Sequence, residues 1–309
     1  MEKHSHKGIL ALTGIVMLAF LLRIWKYFLD PSPLESLASY WISTAVAVGI
    51  IIIIYLLSYK ITESYVASLF SSALAATIPI YSWRTVAQLT HTTAVLLFFL
   101  SLLSFLYVKE FKDWKPLIVV PLLFAFIHVY ALLLIPIVIL YAAFVKIEKR
   151  EINKSEIYLF TVSGIAILVI FVFFTATPAL LALVQQYINI NYYSFAVENF
   201  SISKTFAVAG LVPTYVGAFG LYLAMKEKKK AVLLLTSALA ILLLTIFFNA
   251  IPIRLGLPYF SLTLAVLAGF FWKEIDDNVE KTRLKKYKPI ITLVAFGIIL
   301  VSGIVHFIA

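Results

Sequence analysis

The sequence predicts an all-α protein, a polytopic membrane bundle of about eleven transmembrane helices forming one domain over residues 1–309. Three observations carry that expectation. Of the 309 residues, 63% are hydrophobic and 13% charged, whereas a soluble domain runs nearer half and a quarter. The apolar residues come in runs of roughly 20, the length that crosses a bilayer as helix. The charged residues fall between the runs, and the cations among them sort by side. A net charge of +10 in such a chain reports orientation rather than a nucleic-acid partner. The sequence has no cysteine, which excludes disulfides, thiolate metal sites and cysteine nucleophiles.

Each run has its own punctuation. Gly8–Leu29 follows Lys3 and Lys7 and stops at Asp30-Pro31-Ser32-Pro33, because Pro31 cannot continue a helix. Arg23 and Lys26 close this run, and the nearest small-x-small triplet, Ser36-Leu37-Ala38, lies too far downstream for a cleaved leader. Ser36–Tyr59 follows. Ser64–Tyr81 sets Ala67, Ser71 and Ala75, and also Ser68, Ser72 and Ala76, at spacings of four, a seam for close helix packing. Gln88–Val108 comes next. Pro116–Val145 is long enough to be one kinked helix or a two-helix hairpin turning near His128. Ile157–Thr175, Thr205–Ala224, Ala231–Phe248, Ile253–Trp272 and Pro289–Ile308 complete the set. Ala176–Lys204, rich in Gln, Asn and Tyr, suits an external segment lying in the headgroup layer. Within it Asn199-Phe200-Ser201 fits a glycosylation sequon.

The cations decide between one crossing and two over Pro116–Val145. With a cytoplasmic amino terminus and two crossings, twenty of the 25 Lys and Arg face the cytoplasm; only Arg23, Lys26, Arg84, Lys204 and Arg254 remain outside. One crossing would place Lys146–Lys154 outside and invert everything after it, against the positive-inside tendency. The expectation is therefore a multi-pass protein of the cell membrane, amino terminus cytoplasmic and carboxyl terminus external. Trp25, Trp41 and Trp83 fall at outer ends and Trp114 and Trp272 at inner ends, where indoles favour the interface.

Motifs for nucleotide hydrolysis, dinucleotide redox chemistry, zinc proteolysis and lipase-type catalysis do not occur. In the long cytoplasmic loop expected over Lys273–Lys288, Asp276 and Asp277 sit among Lys and Arg and read as a solvated charged face rather than a metal site. The few outer charges are more telling. Arg23, Lys26 and Asp30 recur at i, i+3 and i+7, one stripe of a helix with about 100° per residue. A cation as deep as Arg23 must snorkel or pair. The stripe offers either end-of-helix charges reaching the headgroups, or cations that hold a lipid phosphate below a carboxylate that acts on a hydroxyl. Arg84 and Arg254 are further outer cations, and His91 and His128 sit at outer helix ends. A lone His in an apolar helix is ordinarily a hydrogen-bonded packing residue.

The order of features, namely an Arg-bearing first helix, an acidic turn, Ala76-Thr77-Ile78-Pro79, Arg84-Thr85, Thr92-Thr93, Phe126-Ile127-His128 and Pro252-Ile253-Arg254, resembles the transmembrane module of the GT-C superfamily of glycosyltransferases. The resemblance is to the oligosaccharyltransferase and protein-mannosyltransferase kind, in a reduced form without the long first external loop or the carboxyl-terminal soluble domain. It implies transfer of a sugar from a polyprenyl-phosphate carrier to an external acceptor. Asp30, with Glu35 as second choice, would take the catalytic acidic role; Arg23, Lys26, Arg84 and Arg254 would hold the lipid phosphate. A divalent metal ion would be the cofactor if the protein is catalytic, with no metal ligand assigned from the residues themselves.

Two other readings stay open. A non-catalytic relative with the same helices would bind a lipid carrier or a partner protein, and the shortness of Asp30-Pro31-Ser32-Pro33-Leu34-Glu35 fits that. A transporter would ordinarily carry ionisable residues near the midplane, and the spans between the second and the last hold no Asp, Glu or Lys at mid-depth.

Overall fold

The computed structural model describes residues 2–29, 37–78, 89–108, 114–176, 210–248 and 250–308. The described residues are all-helical: α1 (Glu2–Leu29), α2 (Leu37–Thr62), α3 (Tyr65–Ala76), α4 (Leu89–Tyr107), α5 (Val119–Ile127), α6 (Leu134–Ile147), α7 (Lys154–Ala176), α8 (Leu211–Glu227), α9 (Lys230–Phe247), α10 (Ile253–Lys281) and α11 (Lys288–Ile308). Short 3-10 turns, Lys115–Ile118, Val129–Leu133 and Arg283–Tyr287, lead into α5, α6 and α11. Six segments are long and apolar enough to cross a membrane: Tyr40–Thr62, Leu89–Tyr107, Val129–Ile147, Lys154–Ala176, Lys230–Phe247 and Leu255–Lys281.

Helix direction follows from pairs of contacts. Ser43 meets Thr92 and Lys60 lies over the Tyr107 ring, so α2 and α4 run side by side in the same direction. Gly8 of α1 abuts Tyr65 at the start of α3, and Tyr40 of α2 reaches back to Arg23 of α1. The chain on either side of His128 is fixed by α7. Trp114 stacks on Tyr158 near the start of that helix, Phe126 meets Phe174 near its end, and Tyr141 returns to Phe160. Residues 114–126 thus climb alongside α7 and 134–147 descend. From Tyr158 to Phe174 that is about 24 Å at the helical rise.

This alternation gathers the charged junctions at one end. Lys229 pairs with Glu63 and Glu227, Lys228 with Glu148, Lys230 with Glu156, and Lys273 with Glu227. Lys229 also donates to the carbonyl of Ile61. The junctions after α2, α6 and α8 and the Lys273 turn of α10 are therefore neighbours, forming a basic end. Lys288 holds both Asp276 and Glu280, one turn apart on the same face of α10.

The belt has a signed pH dependence. Burial would raise the Glu227 carboxyl, but hydrogen bonds from Lys273 and Lys229 outweigh it and hold it below 4.5. Glu280 is held down by its hydrogen bond from Lys288. Burial would lower Lys229 and Lys288, but their carboxylate partners raise both above 10.5. Below 4.5 the unfolded chain takes up protons before the folded one, so the carboxylate contribution is lost as pH falls through the depressed folded values. The lysine contribution is complete below 10.5 and lost as pH rises through the elevated ones. The unfolding midpoint in detergent should be flat between these limits and decline beyond both, less steeply in high salt.

Small residues set the closest approaches. Ser71 of α3 hydrogen-bonds Ser58 of α2 at 2.9 Å and donates to the carbonyl of Val266 in α10. Gly269 faces the Ser58 and Ser71 hydroxyls across that junction. The broadest contact joins α8 to α10, where Gly217 and Gly220 lie against the backbone at Leu264 and Leu267.

Two elements and one residue differ from the sequence expectation. α3 ends at Ala76 with Thr77 as its cap, not at Tyr81, because Ile78 precedes Pro79 and a pre-proline residue disfavours helix. α10 runs on to Lys281, where a loop was expected after Trp272; polar residues 273–281 propagate as helix because Lys288 ties Asp276 and Glu280. Trp272 is not an interfacial indole. It is buried and stacked on Phe70 at 4.8 Å, with Phe296 of α11 edge-on.

Candidate functional site

At the end of the bundle away from the ion pairs, polar and aromatic side chains converge from α1, α2, α4, the His128 turn and α10. Arg23, in the last third of α1, is wholly buried. Its Nη1 donates to the carbonyl of Ala19 one turn back, at 2.9 Å. A helical side chain leans towards the amino terminus of its helix, so this guanidinium folds towards the bundle rather than out to the headgroups. Tyr40, in the first turn of α2, donates its hydroxyl to the carbonyl of Arg23. Ser43 and Thr92, 3.2 Å apart, tie α2 to the start of α4.

His91 stands beside Thr92 and is buried. Its ring meets Tyr259 of α10 edge-on at 5.6 Å between centroids, and His128 at 6.5 Å. His128 is the residue at which the climbing chain turns. Its amide closes the last turn of α5 on the carbonyl of Phe124, and its own backbone is extended at φ −151 and ψ 134. The Nδ1 then accepts from the amide of Tyr130 at 3.2 Å. The imidazole thus does what Ser or Asp usually does at a helix start. An accepting Nδ1 places the proton of the neutral ring on Nε2. Tyr130 packs against His128 at 4.4 Å and against Tyr259 at 6.2 Å. Phe98 lies under Tyr259 at 5.1 Å.

Two imidazoles and two phenols, each able to donate and accept, therefore share one cluster bounded by α4, the His128 turn and α10, with His91, His128 and Tyr259 buried and Tyr130 partly so. Among the residues expected from sequence, the structure brings His91 and His128 together and puts Arg23 in the wall between α1 and α2. Lys26 lies in the last turns of α1 and Arg254 in the first turn of α10; their side chains are outside the described part. Asp30, Glu35 and Arg84 lie outside the described residues, as does nearly all of Ala176–Lys204. Among the described residues no three His, Asp or Glu side chains gather as metal ligands.

Tyr259, Tyr130 and Tyr40 were not singled out by sequence. Tyr259 had one signal: Pro258 inside α10 removes the amide that would bond the carbonyl of Arg254, marking that turn as irregular. A scan against family models finds no match for this chain, and no curated protein matches it.

Proposed function

We propose that the protein crosses the membrane eleven times, amino terminus cytoplasmic and carboxyl terminus external, and acts as a GT-C-like glycosyltransferase on a polyprenyl-phosphate sugar. The supporting observation is the division of the bundle into two ends. The ion-paired junctions lie at one, and Arg23, His91, His128, Tyr130 and Tyr259 at the other. By the positive-inside tendency the first faces the cytoplasm. In the reaction Asp30 takes the proton of an acceptor hydroxyl, and that oxygen bonds to the anomeric carbon. The bond from that carbon to the lipid phosphate breaks with its electron pair, and Lys26, Arg84 and Arg254 stabilise the departing phosphate.

With a synthetic polyprenyl-phosphate sugar in proteoliposomes, Asp30→Asn should lower turnover at least about 100-fold, the usual reach of a general base. Glu35→Gln should cost far less. Undiminished transfer by Asp30→Asn would remove Asp30 from the mechanism.

A second reading has its own support. Only seven residues, 30–36, separate α1 from α2, too few for the amphipathic helices that carry the acidic motif in the resembling enzymes. A non-catalytic protein that binds the lipid carrier fits that short connection. Saturable carrier binding without transfer by the native chain would favour it.

A further inference from the structure

We infer that the cleft where α6 ends binds the phosphate headgroup of an anionic phospholipid. The cleft has a volume of about 520 Å³ and is lined by Ala142, Ala143, Ile152, Lys146, Lys149 and Arg150. Its floor is small and apolar, and three cations ring it. Exposed Ile139 and Ile147 continue the apolar face of α6 on either side, at the i−4 and i+4 spacing from Ala143 that shares one face. An acyl chain along Ile139 and Ala143 would leave its phosphate at the cations.

Two observations separate this cleft from an ordinary solvated basic loop. The first is the pairing pattern. Two of the three nearby carboxylates are engaged elsewhere: Glu148 holds Lys228, and Glu156 holds Lys230 and the amide of Asn153, while Glu151, between Arg150 and Ile152, is exposed. Among the described residues no ion pair joins Lys146, Lys149 or Arg150 to a carboxylate.

The second is the backbone. Among the described residues three non-glycine residues are left-handed, all at the basic end: Glu63 and Lys228 directly after a helix, and Lys149 one residue past the Glu148 cap of α6. Glycine is the usual occupant there. Glu63 and Lys228 each use their charge in an ion pair within the protein. Lys149, at φ 53, does not. Its turn is closed by the amide of Lys149 on Lys146 and that of Arg150 on Val145. The same turn brings all three cations to the rim.

The test is titration of the purified full chain in detergent with phosphatidylglycerol and, separately, phosphatidylcholine, followed by native mass spectrometry. Phosphatidylglycerol should bind preferentially. Each cation removed should weaken it about 5-fold and all three, as Lys146→Gln, Lys149→Gln and Arg150→Gln together, about 100-fold. Lys149→Gly alone removes one charge while easing the left-handed turn, so its roughly 5-fold loss is readable even if the triple variant folds poorly. Ala143→Phe, at an exposed position, fills the cleft and should abolish the preference with every charge in place. Neutralising Lys281, Lys285 and Lys286 instead should leave binding unchanged.

An equal loss in that control would mean general attraction and would overturn the assignment. So would Ala143→Phe binding like the native chain. Displacement of the lipid by millimolar inorganic phosphate would assign the cleft to free phosphate rather than a headgroup. Detergent removes any dependence on which leaflet the cleft meets, so this result stands or falls apart from sugar transfer.

Discussion

Gly220→Val should be among the most destabilising single substitutions in the bundle. A Cβ at position 220 would sit 2.1 Å from the carbonyl oxygen of Leu267 and 2.7 Å from its carbon, both backbone atoms of α10. Backbone in a packed helix cannot swing aside as a side-chain tip can, so α8 must move bodily away from α10. Overpacking of this kind costs about 1–3 kcal/mol or more, and the position lies in the broadest helix contact of the described structure. We expect about 3 kcal/mol or outright failure to assemble. Gly217→Ala should be milder but in the same direction, since its new Cβ would meet Leu264 at 2.7 Å. Gly164→Ala on α7 is the control. Nothing lies within 4 Å there, so the change should be neutral or stabilise by up to about 1 kcal/mol through helix propensity. Reversible unfolding in mixed micelles reads all three; equal midpoints for Gly220→Val and Gly164→Ala would refute the close approach.

The contrast between these glycines shows what a sequence conceals. Gly164 and Gly220 both stand in apolar helices, and only the partner helix distinguishes them. The positions of the helices were legible because apolar length and the placement of Lys and Arg are properties of single segments. The ends were less so. Residues 273–281 look like loop in isolation, and become helix through Lys288, which belongs to the next element. Trp272 shows the same limit: an indole beside a lysine resembles an interfacial anchor until Phe70 and Phe296 are found around it. At the far end, His91 and His128 stood out as rare polar residues in apolar surroundings. Their neighbour Tyr259 did not, because tyrosine is common here and no periodicity links residues so distant in sequence. The acidic half of the proposed site, Asp30 and Glu35, rests on residue order alone.

The buried ion pair at the basic end carries the second large expectation. Glu156 is 4% exposed, and its carboxylate meets the Lys230 ammonium at 3.2 Å. The same oxygen accepts from the amide of Asn153 at 2.9 Å, the reach-back of a capping box at the start of α7. Glu156 thus caps the start of one helix and clamps another, since Lys230 opens α9. Lys230→Met should cost about 3 kcal/mol, because it takes an ion-pair partner from a carboxylate that the fold has already removed from water. Glu156→Gln should cost a similar amount through the loss of the carboxylate beside the Lys230 ammonium, yet keep the cap, which Gln also makes. Glu156→Ala should cost about 1 kcal/mol more than Glu156→Gln, the worth of that cap. The decisive variant carries both Glu156→Gln and Lys230→Met. With both charges of the pair removed, it should recover to within about 1 kcal/mol of the native chain, a coupling of at least about 2 kcal/mol. Strict additivity of the two single losses would mean that each side chain acts through separate contacts, and that the joint between α7 and α9 does not depend on their pairing.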